Sequence, residues 1–241
     1  MQGIRGGSYL IEAGLDRNDS DAVRRGWGMV DRNQQRISNL VLDMLTFSKE
    51  REPEKVEADW NETVRDVVEL MQSRADEMEV TLETDLSRDV PQAMFDPDAM
   101  HRAVLNLVTN AIDAAAGTGD TADETDFDVD DTTASPAGPQ ETPRVLVKTG
   151  FDPTLGWYID VIDNGPGIAP AEREKIFSLF ESSKGARGTG LGLPVSAKIM
   201  REHGGEIEVL DSGDQCGSCF RLRLPPAGTD MDALTGTGSN T

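Results

Sequence analysis

Positive charge is what this sequence most lacks. Its 241 residues carry 23 Lys and Arg against 44 Asp and Glu, a formal net charge of -21. Such a surface repels a phosphate backbone over most of its area, so nucleic acid is not expected as a partner. Long apolar runs are missing too. Stretches such as Leu40-Val41-Leu42 fall far short of the roughly 20 residues that a spanning helix needs, so no membrane segment is expected. The opening MQGIRGGSYLIEAGL has only a short apolar run and does not read as a secretory signal, which makes a cytoplasmic location the expectation. Cysteine is scarce. Cys216 and Cys219 form one C-x-x-C, whereas a structural zinc site wants further Cys or His ligands at matching spacing, so metal or redox use is not expected of them. Cys216 reads as a turn residue and Cys219 as the start of a late strand.

What is present is organised in two parts. From Arg24 to Glu50 the apolar residues Val30, Ile37, Leu40, Val41, Met44, Leu45 and Phe47 recur at helical spacing, which predicts an amphipathic helix. A shorter helical stretch, about Ile4 to Leu15, precedes it across a polar turn with Asp16, Asn18, Asp19 and Ser20, so the two read as an antiparallel hairpin. Two helices cannot bury their own apolar face. A second copy completing a four-helix bundle would, which predicts a homodimer. Pro53 ends the second helix and opens a linker.

Beyond it, helices are expected at Asn61 to Met78, at Ala99 to Ala116 (opened by Asp96, Pro97 and Asp98), at Pro170 to Phe180 and at Leu191 to Glu202. Strands are expected at Val80 to Asp85, Arg144 to Gly150, Tyr158 to Asp163, Glu206 to Leu210 and Cys219 to Leu224. This order favours a two-layer α/β sandwich over a doubly wound parallel sheet. Between Gly117 and Thr142 lie eight acidic residues and no Lys or Arg, a composition that cannot support a packed core and reads as a disordered insertion. The Gly- and Thr-rich tail after Pro226 reads as mobile.

Three short elements carry chemistry. Asn106 and Asn110, four apart in Asn106-Leu107-Val108-Thr109-Asn110-Ala111-Ile112-Asp113, share one helix face, and an amide oxygen is a suitable Mg²⁺ ligand. Alone, such a pair is more often a solvated or capping pair. Asp163-Asn164-Gly165-Pro166-Gly167-Ile168 follows a strand. An ionised Asp accepts hydrogen bonds only, which suits the exocyclic amine of adenine, and the glycines let backbone approach a flat base. Alone, it is also a simple turn. Gly188-Thr189-Gly190-Leu191-Gly192-Leu193 stands directly before a helix, where open backbone NH groups and the helix dipole cradle phosphates. Alone, it could be a flexible loop. It matches neither the dinucleotide fingerprint, because Leu193 occupies the last glycine position, nor a Walker loop.

In this order and spacing the three elements resemble the N, G1 and G2 boxes of the histidine-kinase-like ATPase family, and Phe177 to Lys184 resembles its F box. The hairpin stretch from Arg36 to Ser48 looks like the second helix of a histidine-kinase dimerisation domain. The resemblance implies a Bergerat-type ATP-binding sandwich over residues 56–226, interrupted at 117–142, after a helical dimerisation and phosphoacceptor domain over 1–52 and before a flexible tail at 227–241. It implies ATP and Mg²⁺ as cofactors, with Asn110 as the metal ligand, Asn106 supporting it and Asp163 on the adenine. Asp113, Gly165, Gly167, Ile168, Phe180, Gly188, Thr189, Gly190, Leu191, Gly192 and Leu193 would line the pocket. Lys184, in a lid of Ser182 to Gly188, would reach a phosphate as a mobile point charge.

Related hydrolysing members carry a glutamate at the position of Asn106. An amide takes up no proton at neutral pH, so transfer to a protein nucleophile is expected rather than hydrolysis. The implied activity is that of a two-component sensor histidine kinase passing the γ-phosphoryl of ATP to histidine and on to a response regulator. A plain ATPase or a silent ATP-binding module are the alternatives. Gln2-Gly3-Ile4-Arg5 is similar to the family's H box with Gln2 where the histidine belongs, so the chain is not expected to phosphorylate itself.

Overall fold

The computed structural model describes residues 2–48, 52–117, 142–179, 190–211 and 217–226, in two compact units of residues 1–50 and 51–241. The expected insertion, the lid, the tail and Cys216 lie outside the described residues.

The first unit is a helical hairpin of α1 (Gln2–Asp16) and α2 (Ser20–Ser48). Asn18 takes a positive φ of 51° in the turn, and the Asp19 carboxylate accepts the amides of Asp21 and Ala22 at 3.0 Å each, capping α2. The helices meet through glycine. A Cβ on Gly7 would stand 2.7 Å from the Gly26 carbonyl, and one on Gly26 would stand 2.6 Å from the Gly7 carbonyl. Tyr9, Leu15, Trp27, Ile37, Val41 and Met44 stay exposed on this unit.

The second unit places three helices, α3 (Trp60–Glu77), α4 (Pro97–Ala115) and α5 (Gly192–Glu202), against a five-stranded sheet. Its strands are β2 (Thr81–Leu86), β4 (Arg144–Asp152), β5 (Gly156–Asp163), β6 (Glu206–Leu210) and β7 (Cys219–Leu224), in the order β2-β4-β5-β7-β6. Only the β2–β4 pair is parallel. Strand alternation separates the two faces. Val145, Val147, Ile159, Val161, Phe220 and Leu222 pack under Val64, Val67, Val104, Leu107, Val108, Val195 and Ile199 of the helices, all buried. This is the expected two-layer α/β sandwich.

The opposite face is polar and carries ion pairs. Arg221 holds Asp160 through two bonds of 2.6 and 2.7 Å and covers the Tyr158 ring at 4.6 Å. Arg223 pairs with Glu206 and lies 3.3 Å from Glu208, while Lys148 reaches Asp85 at 3.7 Å. Burial, together with the hydrogen bond and charge of Glu206, pushes the Glu208 carboxyl above its ordinary value.

The structure corrects one expected element and adds two. The helix expected over Pro170 to Phe180 is two short 3₁₀ turns, Pro170–Glu172 and Lys175–Phe177. Proline suits a helix start, but Ile176 and Phe177 are too few apolar residues to make a continuous face. The strands β1 (Val56–Ala58) and β3 (Ala93–Phe95) form a separate antiparallel ribbon. Three residues each give no readable alternation. The ribbon is secured by Phe95, fully buried and edge-on to Trp60 at 5.0 Å between ring centroids. Phe95→Ala should cost about 3–5 kcal/mol in chemical denaturation, the usual result of emptying an aromatic site that cannot collapse. A change within experimental error would show that this ribbon does not belong to the cooperative core.

Candidate functional site

The site is laid out along α4. Asp96 caps it, its carboxylate accepting the Ala99 amide at 3.1 Å, and Pro97 occupies the first turn. Met100, Ala103, Val104, Leu107, Val108, Ala111 and Ile112 are buried at helical spacing. That leaves Asn106, Asn110 and Asp113 half-buried on its flank.

Near the C-terminal end of α4 stands the end of β5. Asp163 is buried, at 4% exposure, and its carboxylate Oδ1 accepts the amides of Gly165 at 2.9 Å and Ser218 at 3.3 Å. Glycine is required here by space. A Cβ on Gly165 would stand 2.7 Å from the Ala114 carbonyl of α4, and one on Gly217, whose φ is 127°, would collide with the Asp163 carbonyl. Gly167, also at positive φ, faces Gly217, and Ile168 follows half-buried.

At the other end of the strip begins α5. Gly190 has a positive φ of 62°, Leu191 is buried as the anchor, and Gly192 opens the helix. Asn106 Nδ2 donates to the Gly192 carbonyl at 3.1 Å and lies 3.3 Å from Ser196 Oγ. Leu193 is half-buried behind it. Asn106 therefore meets the glycine turn, Ala114 meets the Asp163 turn, and Asn110 stands between them on a strip of about 12 Å.

The expected residues thus divide. Asn106, Gly190, Leu191, Gly192 and Leu193 gather at one end of the strip, and Asp163, Gly165, Gly167 and Ile168 at the other. Asp113 instead turns toward α3, where its carboxylate takes Arg74 at 2.7 Å. Phe180, Lys184, Gly188 and Thr189 lie outside the described residues.

Two contributors escaped the sequence reading. Asn164 Oδ1 accepts the Arg144 amide at 2.7 Å and its Nδ2 donates to the Thr142 carbonyl at 2.9 Å, tying the Asp163 turn to the entry of β4. Ser196 Oγ lies 3.0 Å from the Gly192 carbonyl and 3.3 Å from the Ala103 carbonyl. Neither carries a signal in sequence, since a turn Asn and a helical Ser are ordinary. Two open clefts lie elsewhere, one at Asn61, Ser87 and Arg88 beyond the opposite end of the sheet and one over Tyr158 and Arg221 on its polar face. Neither is lined by residues of the strip.

The geometry is that of a nucleotide-binding sandwich, and comparison gives its family. Residues 95–228 match the histidine kinase-, DNA gyrase B-, and HSP90-like ATPase family, and the chain belongs to that family. It is 30% identical over 190 residues to the sensor histidine kinase ZraS of Escherichia coli, covering 79% of this chain and 35% of that protein. It is 27% identical over 234 residues to the sensory histidine kinase/phosphatase NtrB of Rhodobacter capsulatus, covering 96% of this chain and 59% of that protein. In fold it is similar to the histidine kinase ThkA solved in complex with the response regulator protein TrrA, with a TM-score of 0.64, 23% identity, and coverage of 92% of this chain and 58% of that one. The chain thus spans between about one third and three fifths of these relatives' lengths.

Gly217→Ala forces a side chain into a backbone conformation and a space that only glycine fits. It should destabilise the second unit by about 1–3 kcal/mol in chemical denaturation. Native stability in the variant would mean that the Gly217–Asp163 contact is not the one described.

Proposed function

We propose that this chain is the catalytic core of a sensor histidine kinase, binding Mg²⁺-ATP along the α4 strip and transferring its γ-phosphoryl group to a histidine, then to a response-regulator aspartate. The observation that carries the reading is the strip itself. A buried carboxylate stands at one end, a helix N-terminus at the other, and an asparagine between them. Asp163 would accept the exocyclic amine of adenine in a site where Gly165 and Gly167 leave room for a flat base. The amides at Gly190 to Gly192 and the positive end of α5 would take the phosphates.

Asn110 would hold Mg²⁺ through its amide oxygen, a hard donor suited to an ion that otherwise keeps water and phosphate oxygens. The metal would supply charge neutralisation on the transferring phosphoryl group. Lys184, from the segment before Gly188, would add a second positive charge.

Transfer is favoured over hydrolysis by Asn106. Its amide nitrogen is engaged with Gly192 and Ser196, and an amide is no base for water. The names of ZraS and NtrB support the same choice, and the response regulator bound to ThkA supports the onward partner. The exposed Trp27, Ile37, Val41 and Met44 support a homodimer through the hairpin. No described helix is long and apolar enough to cross a membrane, which agrees with a cytoplasmic core.

A silent ATP-binding module is the second reading. Gln2 opens α1 where the resemblance would put the acceptor, and His203 is buried with both ring nitrogens engaged.

Asp163→Ala should weaken Mg²⁺-ATP binding roughly 10- to 100-fold in titration calorimetry, the loss of a charged acceptor in a dry pocket. Unchanged affinity in the folded variant would remove Asp163 from the site. Incubated alone with γ-labelled ATP, the chain should bind nucleotide but acquire little acid-labile phosphate. Strong labelling abolished by His101→Gln or His203→Gln would make that histidine the acceptor.

A further inference from the structure

His203 closes α5 and is buried, at 6% exposure, in a place the proposed chemistry does not use. Its Nε2 lies 2.9 Å from the Asp96 backbone nitrogen, and its Nδ1 lies 2.7 Å from the Ile199 carbonyl. A backbone N–H can only donate, so Nε2 must offer a lone pair. Nδ1 then carries the hydrogen and donates it to Ile199, and the ring is fixed as one neutral tautomer. Adding a proton would set two N–H donors against each other.

The bond joins α5 to the cap of α4. Asp96 also holds the entering chain, since its Oδ2 accepts the Glu54 amide at 3.1 Å. Midway along α4, against the first turn of α5, Asn106 Nδ2 donates to the Gly192 carbonyl, and Ser196 Oγ stands between the Gly192 and Ala103 carbonyls. The two spans match. Asp96 to Asn106 is about 15 Å along α4, and Gly192 to His203 is about 16 Å along α5. Val195, Ile199 and Met200 are buried between the two ends. With α5 pinned at both of its ends to the first half of α4, the two antiparallel helices cannot slide past each other while both pins hold.

We infer that His203 is a positioning residue for the nucleotide site, a latch that in its neutral form sets the register of α5 on α4, and so the place of the glycine turn relative to Asn110. Protonation of Nε2 opens the latch and weakens nucleotide binding. The inference rests on the nucleotide reading given above.

The charged groups facing His203 are Lys55 from the chain before β1, Asp96 at the α4 cap and Glu202 on α5 itself. Burial is the largest influence and lowers the affinity of the ring for a proton, as does Lys55, while the Ile199 bond, Asp96 and Glu202 oppose it. The net direction is below the ordinary 6.5. The folded chain therefore binds fewer protons than the unfolded chain below that pH, and the latch loses stability as pH falls through 6.5 toward the folded value. Linkage requires the converse. If the neutral ring favours nucleotide, nucleotide must make His203 harder to protonate.

The test follows the His203 ring resonance of the full chain by NMR against pH, with and without Mg²⁺ and a non-hydrolysable ATP analogue, using His101→Gln to assign the second ring. Nucleotide should lower the His203 midpoint by about 0.7 pH unit, equivalent to about fivefold coupling. In parallel, the wild-type affinity should fall between about pH 7.5 and about pH 5.5. His203→Gln keeps an acceptor for the Asp96 amide but does not ionise, so it should bind like wild type at the higher pH and lose only what the nucleotide's own titration costs at the lower. A midpoint that does not move, or a Gln variant with the wild-type pH profile, would overturn the latch while leaving the nucleotide site standing. No binding by the wild-type chain at the higher pH would overturn the nucleotide reading, and the latch with it.

Discussion

The Asp163 carboxylate organises one whole end of the second unit. A buried carboxylate is costly unless hydrogen bonds replace its water, and here the amides of Gly165 and Ser218 do so. Those two bonds fold the turn after β5 back toward α4 and bring the start of β7 alongside it. Gly165 and Gly217 are glycines because the backbone comes too close for any side chain at Ala114 and at Asp163 itself. The residue proposed to accept the adenine amine is also the residue that holds the surrounding turn in place.

α4 is the second constraint. Its buried face is fixed by the sheet, so every part of the strip is measured from one rigid helix. α5 does not float against it. Asn106 and Ser196 hold its first turn, His203 holds its last, and the glycine turn inherits its position from both. Asn106 therefore has a mechanical part to play whatever its chemistry.

Most of this was legible because it is periodic or because it is glycine. The apolar spacing of α3, α4 and α5 and the strands from Arg144 to Asp163 emerge from pattern alone, and the sandwich follows from their order. The position of Gly165 pointed to a close backbone approach that the structure contains, and Gly190 takes the positive φ that glycine permits. What pattern could not supply was long-range pairing. Nothing near Asp113 in sequence announces Arg74, 39 residues away, and nothing near His203 announces Asp96, 107 residues away. The two strands of three residues were too short to alternate visibly, and the 170–177 stretch had a helix-starting proline without an apolar stripe to continue it. Asn164 reads as a turn former, and its bridge to β4 exists only once the sheet has assembled.

The proposed function turns on one strip of α4, bounded by Asp163 and by the start of α5, taking the nucleotide. The most direct measurement is a crystal structure of the chain with Mg²⁺ and a non-hydrolysable ATP analogue. The expected result is the adenine amine on the Asp163 carboxylate, the metal on the Asn110 amide oxygen and phosphate oxygens at the amides of Gly190 to Gly192. An analogue seated at the Asn61 and Arg88 cleft, or on the polar face at Arg221, with the strip empty, would contradict it.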